Sequence, residues 1–210
     1  MLNTMKGAIF DLDGVIVDTA KYHYLAWQAL AKRLGFDFTE EDNERLKGVS
    51  RMESLRILLE IGGIEAGEVE RLEMAEMKNR EYVSSISKLD PSEILPGARE
   101  YLELLRGRGV KIALGSASQN AAFILSRLGI ARLFDAVIDG TKVSQAKPDP
   151  EVFLAASEAL GLRPSECVVF EDAAAGVQAG KAAGCKVVGI GSPDILHQAD
   201  RVIAGLYELI

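Results

Sequence analysis

The sequence predicts an α/β protein with a doubly wound parallel sheet as its core and a small all-helical unit inserted after the first strand. Three observations carry this. Short apolar runs rich in Val and Ile recur along the chain, as strands covered on both faces require. Helical patterns alternate with those runs, the signature of parallel strands joined by crossover helices. One stretch, from about residue 20 to 88, has helical patterning and no convincing strand.

Taken in order, Gly7-Ala8-Ile9-Phe10 is the first strand. The insert follows. His23, Trp27, Leu30 and Leu34 fall on one helical stripe, a second helix covers Ser50 to Leu59, and a third covers Glu68 to Ser84. The hinges are Val17 to Ala20 and Lys88 to Pro91, where proline discourages helix. The core domain is therefore expected over 1–17 and 89–210, and the insert over 18–88. Beyond it, Ala98, Tyr101, Leu102 and Leu105 repeat at i, i+3, i+4, i+7 and stop at Gly109. Val110 to Leu114 is the next strand. Ala121, Ile124, Leu125 and Leu128 repeat the helical spacing, with Gly129 as the stop. Ala136 to Ile138 is a strand, residues 149–160 a helix ended by Gly161, and Cys167 to Phe170 and Lys186 to Ile190 two more strands. Right-handed crossovers make such a sheet doubly wound.

A chain of 210 residues fits one core domain with a modest insertion. Its 48% hydrophobic content supports a sizeable core. The net charge of -7 argues against nucleic acid as a partner. Cys167 and Cys185 sit beside apolar runs and read as buried thiols in a reducing cytoplasm. The chain reaches Asp11 before any apolar stretch of signal length, and no run of about 18 apolar residues occurs. A cytoplasmic monomer with no membrane partner is expected.

Chemistry concentrates where strands end. Asp11-Leu12-Asp13-Gly14 follows the first strand, and ligands of open parallel sheets bind beyond the carboxyl ends of strands. One carboxylate of such a pair can attack phosphorus while the other moves protons. A calcium loop fails, because Val15 and Tyr22 stand where ligands belong. Gly115-Ser116-Ala117-Ser118-Gln119-Asn120 offers a hydroxyl and backbone N–H groups at a helix start, suited to phosphate or simply to capping. Lys147 precedes a Pro-initiated helix, and alone it reads as a surface charge. Glu171-Asp172 directly follow a buried strand, where unpaired charge is costly unless a cation neutralises it.

Asp11-Leu12-Asp13-Gly14, Ser116, Lys147 and Glu171-Asp172, in this order, resemble the four motifs of the haloacid dehalogenase superfamily, and the match spans most of the chain. The resemblance implies a Rossmann-like core with a mobile helical cap. It implies Asp11 as nucleophile and Asp13 as general acid and base, with Ser116 and Lys147 on the transferring phosphoryl group. It also implies Mg²⁺ held by Asp11, the Asp13 carbonyl, Asp172 and Glu171.

The insert narrows the expectation. Leu46-Lys47-Gly48-Val49-Ser50-Arg51, the opening Asp18-Thr19-Ala20-Lys21-Tyr22-His23 with Ala26-Trp27, and Lys78-Asn79 resemble the cap of that superfamily's hexose-phosphate mutases. By this resemblance Arg51, with Ser118 and Asn120, holds the phosphate that is not transferred. Lys47, Gly48, Val49 and Ser50 shape the sugar site, His23 and Lys78 position the hydroxyl and Asp13, and Trp27, Asn79 and Ala117 are further substrate-binding residues. The implied reaction converts β-D-glucose 1-phosphate to glucose 6-phosphate, with β-glucose 1,6-bisphosphate as primer and intermediate. The alternative is a sugar-phosphate phosphatase that passes the phosphoryl group to water. Gln119 and Ala173 depart from the pattern, removing a positive charge and a hydroxyl.

Overall fold

The structure, a computed structural model, describes residues 2–46 and 49–210. Lys47 and Gly48, both expected in the sugar site, lie outside the described residues. Six parallel strands form one sheet: β1 (Gly7–Phe10), β2 (Lys111–Gly115), β3 (Ala136–Ile138), β4 (Cys167–Glu171), β5 (Lys186–Ile190) and β6 (Arg201–Ile203). Their order is β3-β2-β1-β4-β5-β6. The chain winds outward from β1 to one edge and then returns to wind outward to the other. β1 is thus the switch point of a Rossmann-like sheet, and the crevice at its carboxyl end is where ligands bind in such folds. Among the elements expected from sequence, β6 is an addition.

Side-chain alternation explains why both faces of the sheet are covered. Ala8 and Phe10 enter a cluster with α5 (Ala98–Gly107) and α6 (Ala121–Arg127). Ile9, between them, enters the opposite cluster with α7 (Glu151–Ala159) and α8 (Ala174–Ala182). Phe10 stacks on Phe170 of the neighbouring strand, with centroids 4.5 Å apart, and Tyr101 meets Phe170 edge-on at 5.6 Å. Truncating a ring so enclosed costs about 3–5 kcal/mol.

The insert comprises α1 (Ala20–Leu34), α2 (Glu40–Glu44), α3 (Arg51–Gly62) and α4 (Glu68–Ile86). It has its own apolar cluster, built on Trp27, Leu30, Phe38, Leu55 and Leu58. The short α2 is absent from the periodicity. It exists because Thr39 and Asp42 form a reciprocal capping box. Ser50 caps α3 by accepting from the Glu53 N–H at 3.2 Å. Left-handed Gly35 and Gly63 end α1 and α3.

The two hinge strands of chain lie side by side. Val17 bridges Ile94, and the Leu95 N–H donates to the Ile16 carbonyl at 3.0 Å. Glu93 clamps the foot of α1, accepting from Lys21 at 2.6 Å and from the Tyr22 hydroxyl at 2.9 Å. Among the described residues no helix is long and apolar enough to cross a membrane. Cys167 and Cys185 are buried free thiols.

Candidate active site

Asp11 leaves β1 with its N–H bonded to the Phe170 carbonyl at 2.9 Å, so its carboxylate is fixed at the sheet edge. Ser116 leaves β2 with its N–H on the Ile138 carbonyl at 3.0 Å. Lys147 comes from a loop stapled by Glu151, whose carboxylate accepts the Ser144 and Gln145 N–H groups at 3.0 and 2.6 Å. Those two bonds hold Glu151 below the usual carboxylate range. The lysine that reads as a surface charge in the sequence is 3% exposed. Its ammonium lies 2.6 Å from both Asp11 Oδ1 and Glu171 Oε1. Burial alone would lower its proton affinity, but the two carboxylates outweigh that and hold it above its ordinary value.

Glu171 is fully buried, and its other oxygen accepts from the Ala173 N–H at 2.7 Å. Both its oxygens are thus engaged by protein, and it serves Lys147 from below the pocket floor. Asp172, by contrast, faces the pocket. It rests against Gly14 so closely that any side chain at that position would collide with its carboxylate. Gly14 is also left-handed, with φ 76°. Burial, followed by the charges of Glu171, Asp11 and Asp13, pushes the Asp172 carboxyl well above its normal range.

Asp13 is pushed up to about 8, first by burial and then by the Asp11 charge. Its Oδ1 is buried with no hydrogen-bond partner, and its Oδ2 lies 3.8 Å from His23 Nε2. Burial, then Lys78 and Arg51, hold His23 well below its usual range, so the ring is neutral. Lys78 Nζ sits 2.8 Å from His23 Nδ1. Which of the two donates follows the histidine tautomer, and His23 Nε2 is buried with no hydrogen-bond partner. Lys78 itself is 3% exposed, over the faces of Trp27 and Tyr82 at 4.6 Å each. Burial and the Arg51 charge bring it down to about 7.

These groups line one cavity of about 890 Å³, solvent mouth included, between the sheet edge and the insert. The expected residues Asp11, Asp13, His23, Trp27, Val49, Arg51, Lys78, Asn79, Ser116, Ala117, Ser118, Asn120 and Asp172 all face it. Lys147 and Glu171 lie beneath the floor, and the Ser50 hydroxyl is spent capping α3. The N–H groups after β2 also differ from expectation. Those of Ser118 and Asn120 are already taken by the Ser116 and Ser118 hydroxyls, at 3.1 and 3.3 Å. Asn43, Ser54 and Tyr82 line the cavity too; in the sequence they read as ordinary helix positions.

Among the described residues, no three His, Cys, Asp or Glu side chains are arranged to hold a metal ion by themselves. With Glu171 turned to Lys147, the available donors are the Asp11 and Asp172 carboxylates and the Asp13 main-chain carbonyl. Magnesium takes such a site, with one or two carboxylates and the remaining positions filled by water and substrate phosphate. The mutual repulsion around Asp172 marks a crowding of carboxylates that a dication would offset. The donor set fits.

The sequence profile described as haloacid dehalogenase-like hydrolase matches residues 5–184. The β-phosphoglucomutase of Bacillus subtilis is 46% identical over 207 residues, covering 98% of this chain and 92% of that one. A phosphorylated carbohydrates phosphatase of Thermotoga maritima is 36% identical over 185 residues, covering 86% and 82%. The crystal structure of β-phosphoglucomutase from Clostridium difficile superposes with a TM-score of 0.95 at 43% identity, covering 98% and 93%.

Proposed function

This chain belongs to the haloacid dehalogenase-like hydrolase family, and on that premise we propose that it acts as a β-phosphoglucomutase. It isomerises β-D-glucose 1-phosphate to glucose 6-phosphate through β-glucose 1,6-bisphosphate. The observation that carries the reading is one cavity holding a lysine-bound carboxylate, a second carboxyl beside it raised by burial, and a half-buried guanidinium at the other wall.

Asp11 is the nucleophile. Lys147 occupies its Oδ1, which leaves Oδ2 to attack phosphorus. As the new P–O bond forms and the bond from phosphorus to the sugar oxygen breaks, Asp13 delivers its proton to that leaving oxygen. The reverse half runs on the other sugar hydroxyl. Asp13, now a carboxylate, takes the hydroxyl proton while that oxygen attacks the phosphoaspartate and releases Asp11. His23 stands beside Asp13, its Nε2 3.8 Å from Oδ2, and helps to position it. Ser116 and Lys147 hold the transferring group. Arg51 binds the resting phosphate through the planar fork that suits it. Bound Mg²⁺, held by Asp11, Asp172 and the Asp13 carbonyl, supplies charge that neutralises the phosphoryl oxygens. The helices α1–α4 act as the cap, excluding water so that a sugar hydroxyl is the acceptor. The free buried thiols agree with a cytoplasmic protein.

The test supplies β-glucose 1-phosphate with and without the bisphosphate primer and follows glucose 6-phosphate and inorganic phosphate together. Primer-dependent isomerisation with little phosphate release is expected, and Asp11→Asn abolishes it. Phosphate release that outpaces isomerisation would replace this reading by hydrolysis.

A further inference from the structure

Two lysines are buried at this site in opposite surroundings. Lys147 donates to two carboxylates at 2.6 Å each, which hold its charge. Lys78 is buried yet faces the cavity, and it has no carboxylate partner among the described residues. Its Nζ meets the His23 imidazole at 2.8 Å and the faces of Trp27 and Tyr82 at 4.6 Å each. Ring faces attract a cation only weakly. Loss of water and the Arg51 charge act against the ammonium, opposed by Asp13. An amine so placed keeps its lone pair for chemistry, as lysines desolvated beside another cation do. The phosphoryl transfer gives that nitrogen no task.

We propose that Lys78 is a carbonyl-reactive lysine that captures a small phosphorylated aldehyde as an imine, with the phosphate seated on Arg51. The two groups are neighbours. Asn79, the residue after Lys78, accepts from Arg51 Nη2 at 3.0 Å, and Glu76 accepts from Nη1 at 3.0 Å. The other guanidinium N–H groups stay available to a phosphate, and Arg51 faces the same cavity. In the reaction the Nζ lone pair adds to the aldehyde carbon, and one nitrogen proton passes to the carbonyl oxygen. The resulting carbinolamine expels its hydroxyl with a second nitrogen proton as water, leaving a C=N bond. Nothing is oxidised or reduced, and water reverses the step. An occupant held this way fills the space a sugar phosphate needs.

The phosphate seat at Arg51 rests on the mutase reading; the reactivity of Lys78 does not. The probe is pyridoxal 5′-phosphate, supplied substoichiometrically to the full chain with Mg²⁺ at neutral pH. Borohydride then delivers hydride to the imine carbon, a proton from water reaches nitrogen, and peptide mass spectrometry locates the label. Lys78 should be labelled about tenfold faster than the exposed, carboxylate-paired Lys6 and Lys21, because only an unprotonated amine attacks. Lys147 should stay unlabelled. Pyridoxal, which lacks the phosphate, should label Lys78 about tenfold more slowly, the size of one lost charge-assisted bond. β-Glucose 1-phosphate should protect Lys78, and isomerisation should fall in step with labelling. Lys78→Arg keeps a cation that cannot form the imine, and its peptide should carry no label. If that variant does not fold, the wild-type peptide map decides. Label on surface lysines with Lys78 untouched overturns the proposal. Equal labelling by pyridoxal overturns the Arg51 seat. Labelling of Lys78 in a protein that lacks primer-dependent isomerisation keeps the reactive lysine and overturns the mutase reading instead.

Discussion

Lys147 donates a 2.6 Å hydrogen bond to Asp11 across 136 positions of sequence, with 1% and 10% of the two side chains exposed. Glu171 accepts an equally short bond from the same ammonium. A lone ammonium is not tolerated at such depth. Here two carboxylates and one lysine fix each other, and the Asp11 carboxylate is held in one orientation.

Lys147→Met should leave two buried carboxylates unpaired. We expect a loss of about 3–5 kcal/mol in urea unfolding, typical of a broken buried pair, and a fall in kcat of about 10³-fold or more. Stability within about 1 kcal/mol of wild type would show that the trio is solvated.

Gly176→Ala sets helix propensity against sterics. Alanine in place of glycine inside α8 would gain roughly 1 kcal/mol by propensity. A Cβ at this position, however, overlaps the Glu171 carboxylate. Glu171 must move and carry Lys147 with it. Net destabilisation with reduced kcat is expected; a stabilised, fully active variant would show that Glu171 does not need its present seat.

Asp13 makes stability depend on pH with a definite sign. Its carboxyl rises from 3.8 to about 8 on folding, so the folded state binds the proton more tightly. Its contribution is complete below about pH 4 and is lost as pH climbs through 8. In EDTA, the stability of wild type relative to Asp13→Asn should fall from pH 5 to pH 8 and then level off. A flat difference would show that Asp13 is not desolvated.

Lys78 has the opposite sign. Folding lowers it from 10.5 to about 7, so the folded state holds the proton less tightly. The cost is complete below pH 7 and fades as pH rises toward 10.5. Lys78→Met should stabilise the protein at pH 6 by about 1–2 kcal/mol, as buried charges replaced by apolar groups often do, by less at pH 9, and at the expense of activity. Calorimetry at the two pH values checks it; a larger gain at pH 9 would contradict it.

The parallel sheet was legible because its strands are short, apolar and bounded by glycines, a local signal. The Asp11 pair and Glu171-Asp172 stood out because carboxylates seldom follow buried strands. What escaped depends on distance in sequence. Taken alone Lys147 reads as a surface charge, and the family motif is what marks it as a site residue, because its partners are 136 and 24 residues away. β6 is three residues long with only Val202 and Ile203 apolar, too short for any period to register. Tyr82 sits on the stripe of α4 like a core residue, yet it also lines the cavity. Glu171 is expected among the metal ligands by position; the partners it has here, Lys147 and the Ala173 N–H, are not legible in the sequence.

The positive charges facing the cavity, among the described residues, are Arg51 and Lys78, and both ride on the cap. The sheet edge opposite contributes Asp11, Asp13 and Asp172 to the same space. The charge balance of this space is thus divided between two parts of the chain: the cations come with the inserted helices, the carboxylates with the sheet.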